Sequence, residues 1–274
     1  MTARGVASAL LDTPADYYDP TLSPDETRIA YQVFDPKPSD RYGFGPARIR
    51  GYIHVVDRAT GQPSRLTSSP EGEWEPVWSP DGRSMVFAAN RRSNTALFLK
   101  DVGAPDAVEV PVPSVGLYPW AQSWSPDGRF VVYSARDATT KWDLYLLPMS
   151  GDRTPIPLAR SAFNETRGQI SPDGRWLAYT SDESGRSEVY VTTFPMPTAI
   201  WPISTTGAGD PRWRPDGAEL FFVTEDRQLM AVAVKAGTGF AHGAPVRLFD
   251  TGIPPYWNGA RNTYDVGRAA ASCS

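Results

Sequence analysis

The tetrad Ser-Pro-Asp-Gly stands three times in the chain, at 79–82, 125–128 and 171–174, with weakened copies at 23–26 (SPDE) and 214–217 (RPDG). No other feature constrains the fold as much, because a repeated supersecondary unit must stack on its neighbours to bury its apolar face. The tetrad aspartates, at 25, 81, 127, 173 and 216, are spaced 56, 46, 46 and 43 residues apart. A period of about 40 to 50 residues is that of a four-stranded propeller blade. The long first interval has a local cause. Residues 38–51, PSDRYGFGPARIRG, are rich in turn formers and lack alternation, and read as a loop inserted between the second and third strands of that unit.

Each unit repeats one pattern. A short apolar strand ends in a bulky residue, the tetrad follows, and then come strands such as 84–89 (SMVFAA), 130–135 (FVVYSA), 176–181 (WLAYTS) and 219–224 (ELFFVT). After a polar loop there is a third strand, at 96–102, 143–148, 188–194 and 229–235, and then a weaker outer strand such as 154–159. No helical periodicity competes. The tetrad itself is hairpin chemistry: Pro presets φ, Asp accepts from the backbone N–H two residues on, and Gly supplies a positive φ. That accounts for the tetrads as scaffold, with no ligand required.

These stretches resemble a known group, the TolB-like or WD-like six-bladed propellers with Pro-Asp repeats. The likeness is carried by DYYDPTLSPD (16–25), EWEPVWSPDGRSMVFAANR (73–91), WDLYLLPMSGDR (142–153), SPDGRWLAYTSDESGRSEVYVTTFP (171–195) and PRWRPDGAELFFV (211–223). It is strongest toward the C-terminal propeller modules of bacterial Ser/Thr kinases and transmembrane regulators. The resemblance implies an all-β, six-bladed propeller formed by residues 1–274 as one domain. The blade repeats run over about 13–67, 68–113, 114–160, 161–204 and 205–250. A sixth blade is incomplete, formed by 251–266, in which NTYDV (262–266) is the inner strand, together with 5–12 as its outer strand, and 267–274 is expected to be a disordered tail. This pattern reads as a truncated product or a fragment of a longer chain. The open edge it leaves invites pairing, so a dimer through the incomplete blade is expected.

Composition narrows the partners. Lys plus Arg number 27 against 31 Asp plus Glu, a net charge of −4, which provides no cationic field for a nucleic acid. No apolar run approaches a membrane span, and 5–11 is too short for a secretory core, so the chain shows no export signal; related modules are often periplasmic or extracytoplasmic. The single cysteine, Cys273, permits neither an internal disulfide nor a cysteine metal site.

Strand parity locates a candidate site. If each inner strand descends to its tetrad at the bottom rim, the loops leading into the blades meet at the top. Four residues upstream of the tetrads stand Asp19, Glu75, Ala121, Arg167 and Asp210, and Arg212 follows two residues after Asp210. Converging there, Asp19, Glu75, Arg167, Asp210 and Arg212 could bind a polar ligand or peptide terminus, or simply pair with one another along a solvated wall. Asp19, Glu75 and Asp210 are the candidate ligands of a divalent cation in the central channel; otherwise no cofactor is expected. The incoming loops carry Tyr17, Tyr18, Trp74, Tyr118, Trp120, Tyr256 and Trp257. Aromatics on loops suit recognition, although Trp74 and Trp120 could equally wedge between blades, and Trp78, Trp124 and Trp213 beside their tetrads are expected to be core.

Catalytic motifs are missing. No G-x-S-x-G, P-loop or dinucleotide fingerprint occurs, and the two histidines, His54 and His242, have no companion at metal-ligand spacing. The kinase motifs are absent as well. The function expected is a non-catalytic recognition module taking a peptide, protein or small ligand at the channel mouth, with Asp19, Glu75, Arg167, Asp210, Arg212, Trp74, Trp120 and Trp257 as its binding residues. The alternative is a metal-assisted hydrolase or lactonase on the three carboxylates.

Overall fold

In the computed structural model, described over residues 17–34, 51–69, 71–92, 94–104, 106–235, 237, 239–252 and 263–268, twenty strands form five four-stranded antiparallel sheets. Blade 1 comprises β1 (Tyr17–Leu22), β2 (Arg28–Phe34), β3 (Gly51–Asp57) and β4 (Pro63–Arg65). Blade 2 comprises β5 (Glu73–Trp78), β6 (Ser84–Arg91), β7 (Asn94–Asp101) and β8 (Val110–Val112). Blade 3 is β9 (Leu117–Trp124), β10 (Phe130–Asp137), β11 (Lys141–Pro148) and β12 (Ile156–Ala159). Blade 4 is β13 (Glu165–Ile170), β14 (Trp176–Ser181), β15 (Glu188–Thr193) and β16 (Ile200–Pro202), and blade 5 is β17 (Ala208–Trp213), β18 (Glu219–Thr224), β19 (Gln228–Ala233) and β20 (Val246–Asp250). Every blade is a meander in sequence order, as the repeat predicts.

Alternation in the middle strands drives blade stacking. In β10, Val131, Tyr133 and Ala135 pack against Val86, Ala88 and Leu97 of blade 2, while Val132 on the other face meets Ile170, Leu177 and Tyr179 of blade 4. Both faces are buried, so each such side chain contributes about 1.5–3 kcal/mol of apolar transfer. The inner strands contact each other in succession, β1 with β5, β5 with β9, β9 with β13 and β13 with β17, and so surround a common axis.

The tetrads form the opposite rim. Each serine hydroxyl donates to its tetrad aspartate at 2.5–2.6 Å and accepts the N–H that begins the second strand. The aspartates accept from the N–H two residues on in all five units. Hydrogen bonds from Ser23 and Thr27 hold the Asp25 carboxyl down at about 2. Gly82, Gly128, Gly174 and Gly217 have φ between 67° and 76°, and the last three lie against Pro80, Pro126 and Pro172 of the preceding tetrads. The turns therefore also cement neighbouring blades.

The blade count corrects the sequence expectation. There are five blades, not six: the described residues contain no sixth sheet, and 5–12 lie outside them. Residues 263–268 do lie between blades 5 and 1, but pair with no strand among the described residues. Gly267 packs against Leu22 and Glu26, and the Arg268 N–H donates to Glu26 Oε1 at 2.6 Å. No helix among the described residues is long and apolar enough to cross a membrane.

Candidate functional site at the channel mouth

The inner strands are irregular at one repeat position. β1 pairs Tyr18 with Gln32 and next Thr21 with Ala30, so one extra residue is accommodated. The same one-residue bulge falls between Trp74 and Val77, Thr166 and Gln169, and Gly209 and Arg212. Within these bulges Asp19, Glu75, Arg167 and Asp210 have φ of 52°, 54°, 58° and 58°. Left-handed backbone costs a residue bearing a Cβ about 1–2 kcal/mol. Its recurrence at four charged residues marks a built feature that re-aims side chains near the axis. Blade 3 departs from the rule. Ala121 occupies the equivalent position, two irregularities flank it, and the left-handed residue is Tyr118 at 53°.

The side chains of Asp19, Glu75, Arg167, Asp210 and Arg212 are all buried. Three of them are brought together. Asp210 Oδ1 lies 3.1 Å from both Arg167 Nη1 and Arg212 Nη2, and its other oxygen accepts from the Thr263 N–H at 3.2 Å and from the Thr263 hydroxyl. Burial alone would raise this carboxyl, but Arg212 and Arg167 outweigh it and Thr263 assists, so Asp210 ionises more readily than usual. Its backbone carbonyl accepts the Tyr264 hydroxyl at 2.9 Å, and Arg212 Nε donates to Tyr264 O at 3.2 Å. Asp265 completes the span by accepting the Leu22 N–H of blade 1 at 2.8 Å. Asp210 and Arg212 are thus a clasp holding 263–268 across the seam.

Of the aromatic candidates, Trp74 is buried in the blade 2–blade 3 core. Trp120 is partly exposed and stacks on Trp142 with centroids 4.0 Å apart and 22° between planes. Leu117, the first residue of β9, and Phe163, two residues before β13, are exposed, and Tyr17, the first residue of β1, lies edge-on to Tyr31 at 5.3 Å. Trp257 and Tyr256 lie outside the described residues. Trp78 and Trp213 are core, and their indole N–H groups tie blade to blade through Thr21 O at 3.1 Å and Gln169 O at 2.9 Å. Trp124 is only partly buried, because its indole bonds Gly128 O of its own tetrad instead.

Sequence reasoning missed the bridge between blades 3 and 4. Gln122 accepts the Gly168 N–H, Ser123 Oγ donates to Gly168 O at 2.9 Å, and a Cβ at Gly168 would fall 2.7 Å from Val132. It also missed the paired glutamates Glu73 and Glu165, whose common place six residues before a tetrad serine was the available signal.

Fold and mouth together define a β-propeller. No protein-family model matches the sequence. Among solved structures the chain is similar to TolB from Acinetobacter baumannii, with TM-score 0.68 and 20% identity, covering 87% of this chain and 59% of that one. The chain thus spans about three fifths of that TolB. It is also similar to a putative TolB from Agrobacterium tumefaciens (TM-score 0.69, 18% identity, 88% of this chain and 83% of that one). A structure of a nidogen/laminin complex matches at TM-score 0.59 and 10% identity, over 80% and 76% of the two chains. This protein is a β-propeller whose fold is similar to that of the TolB structures over the matched part.

Proposed function

We propose that the chain is a non-catalytic recognition module that binds a peptide or protein partner on the face where the lead-in loops converge. The observation that carries this reading is the mouth itself. Four strained, charged bulges fix the inner strands there, while Leu117 at the start of β9 and Phe163 ahead of β13 are exposed and the Trp120–Trp142 stack of β9 and β11 is half-buried. Rigid aromatic and aliphatic groups on an ordered scaffold contribute binding energy at small entropic cost. The similarity to a propeller solved in a nidogen/laminin complex supports a binding role. Binding measured against Leu117→Ala and Trp142→Ala tests it: about tenfold or greater weakening is expected for these central anchors, and unchanged binding by both variants would reject the face.

The divalent-cation reading has no specific observation behind it. Among the described residues no group of three His, Cys, Asp or Glu side chains is placed to hold a metal, and Asp210 is ion-paired with two arginines. Equilibrium dialysis against Ca²⁺ and Zn²⁺ is expected to give no stoichiometric uptake at the mouth. Pairing of two copies at the seam, where 263–268 joins no described sheet, is a separate proposal read by light scattering.

A further inference from the structure

At the mouth end of blade 3, strand register sets an arginine between two apolar side chains. Arg136 of β10 stands opposite Trp142 of β11 on one side and opposite Leu117 of β9 on the other. Directly opposed residues share a face of the sheet, with Cβ atoms about 4.5–5.5 Å apart. Arg136 is exposed, Leu117 is 57% exposed, and half-buried Trp142 is backed by Trp120 with ring centroids 4.0 Å apart. The backbone beneath them is fixed. Gly116, at φ 80°, approaches β10 so closely that an added Cβ would fall 2.8 Å from Ala135 Cβ and 3.2 Å from Arg136 O. Just before it, the Val115 N–H donates to the hydroxyl of buried Tyr133 at 3.0 Å.

Charge on this lip is one-sided. Among the described residues, neither Arg136 nor Lys141, the exposed residue that precedes Trp142, has an ion pair or a side-chain hydrogen bond. The carboxylates nearby are answered or buried. Asp137 accepts the Thr139 hydroxyl at 2.6 Å and the Thr139 N–H at 2.8 Å and pairs with Arg160 at 3.1 Å, which holds its carboxyl down at about 2. Asp143 has no exposed surface, accepts the Thr140 hydroxyl at 2.5 Å and lies 3.6 Å from Arg160. Glu165 of blade 4 is buried as well and accepts the Ser161 hydroxyl, and burial pushes its carboxyl up to about 7. Its Oε2 has no hydrogen-bond partner, whereas its counterpart on blade 2, Glu73, takes Arg91 at 2.9 Å. In a chain of net charge −4, the charge that β10 and β11 leave unanswered at this lip is cationic.

We propose that the lip docks an acidic segment of a partner protein, an Asp or Glu carboxylate meeting Arg136 while the apolar side chains beside it cover Leu117 and Trp142. Charge complementarity selects the class of partner, and the flanking apolar groups keep water from the pair, which strengthens it. A planar guanidinium takes a carboxylate through two parallel N–H···O bonds. Phosphorylated segments are ordinarily held by clusters of arginines, and here one guanidinium stands with one ammonium group, that of Lys141. The inference deepens the recognition reading by naming the partner's chemistry, and rests on it for the face of approach.

A phage-displayed random-peptide library panned on the whole chain tests the proposal. Peptides enriched in Asp or Glu beside apolar residues are expected. By fluorescence anisotropy the strongest of them should bind saturably and lose about tenfold or more in affinity with Arg136→Gln, with part of the loss restored by Arg136→Lys. Changing the acidic residue of the peptide to its amide should cost as much against the wild type and nothing further against Arg136→Gln; the wild-type arm reads the same contact without altering the protein. No peptide enriched over an unrelated target, tighter binding of a phosphoserine version, or acidic peptides indifferent to Arg136→Gln would each overturn it. So would vesicles of phosphatidylglycerol that sediment the wild type but not Arg136→Gln, since the lip would then be a membrane contact. Neutral peptides that lose binding with Leu117→Ala and Trp142→Ala, but not with Arg136→Gln, would overturn the acidic partner alone and leave the recognition face standing.

Discussion

Replacing Glu165 by Gln should make the protein more stable at neutral and alkaline pH. The amide can still accept the Ser161 hydroxyl, and it removes a charge that is buried without a cation. The folded carboxyl titrates at about 7, against an ordinary value of 4.5. Between those two pH values the native state holds a proton that the unfolded chain has released, so stability declines as pH rises from about 4.5 and levels off above about 8. At about 1.4 kcal/mol per pH unit, the full decrement is up to about 3 kcal/mol. Below pH 4.5 it vanishes. For a chain of this size, that corresponds to a Tm higher by about 5–10 °C for the variant at pH 8, and to equal Tm values near pH 4. Thermal melts of both proteins from pH 4 to 9 read this directly. The difference curve isolates Glu165, since His54, whose burial and neighbour Arg65 lower its pKa, contributes the same opposite slope to both. Parallel curves, or a variant less stable at pH 8, would refute the claim that Glu165 lacks a countercharge.

Asp210→Ala should destabilise by about 3–5 kcal/mol, because it strands two buried guanidinium groups, and amide exchange at 263–266 should accelerate more than exchange in β6 or β10; equal acceleration would dissociate the clasp from the seam. Gly128→Ala, at φ 76°, should cost about 1–2 kcal/mol in urea unfolding with unchanged m-value, whereas no cost would mean that the turn tolerates another geometry. Gly168→Ala, whose Cβ would meet Val132 at 2.7 Å, should cost about 1–3 kcal/mol by overpacking two blades.

Much of the fold was legible because its information is local and repeated. A turn that needs Pro, Asp and Gly in order writes itself into the sequence, and strands such as 130–135 alternate because both faces are covered. The blade count was not legible. NTYDV has the composition of an inner strand, but strand formation requires a hydrogen-bonding neighbour, and 263–268 is held by side chains of Asp210 and Arg212. That Asp19, Glu75, Arg167 and Asp210 share one position of the repeat was readable from spacing. Their pairing was not, because Arg167 and Asp210 lie on different blades and meet only through the bulges at each residue. The left-handed backbone at Asp19, Glu75, Arg167 and Asp210 has no sequence signal, since none is glycine. Glu165 was hidden for another reason: its character comes from a missing partner, visible only against Glu73.

The central claim is that the face bearing the lead-in loops, and not the tetrad rim, receives the partner. A photocrosslinking amino acid placed at Leu117 on the first surface and at Arg129 beside a tetrad on the second compares them within one chain, using the same binding partner. Adducts that form from position 117, are competed by unlabelled protein and do not form from position 129 are the predicted result. Adducts from position 129 alone would place recognition on the tetrad rim and contradict the account.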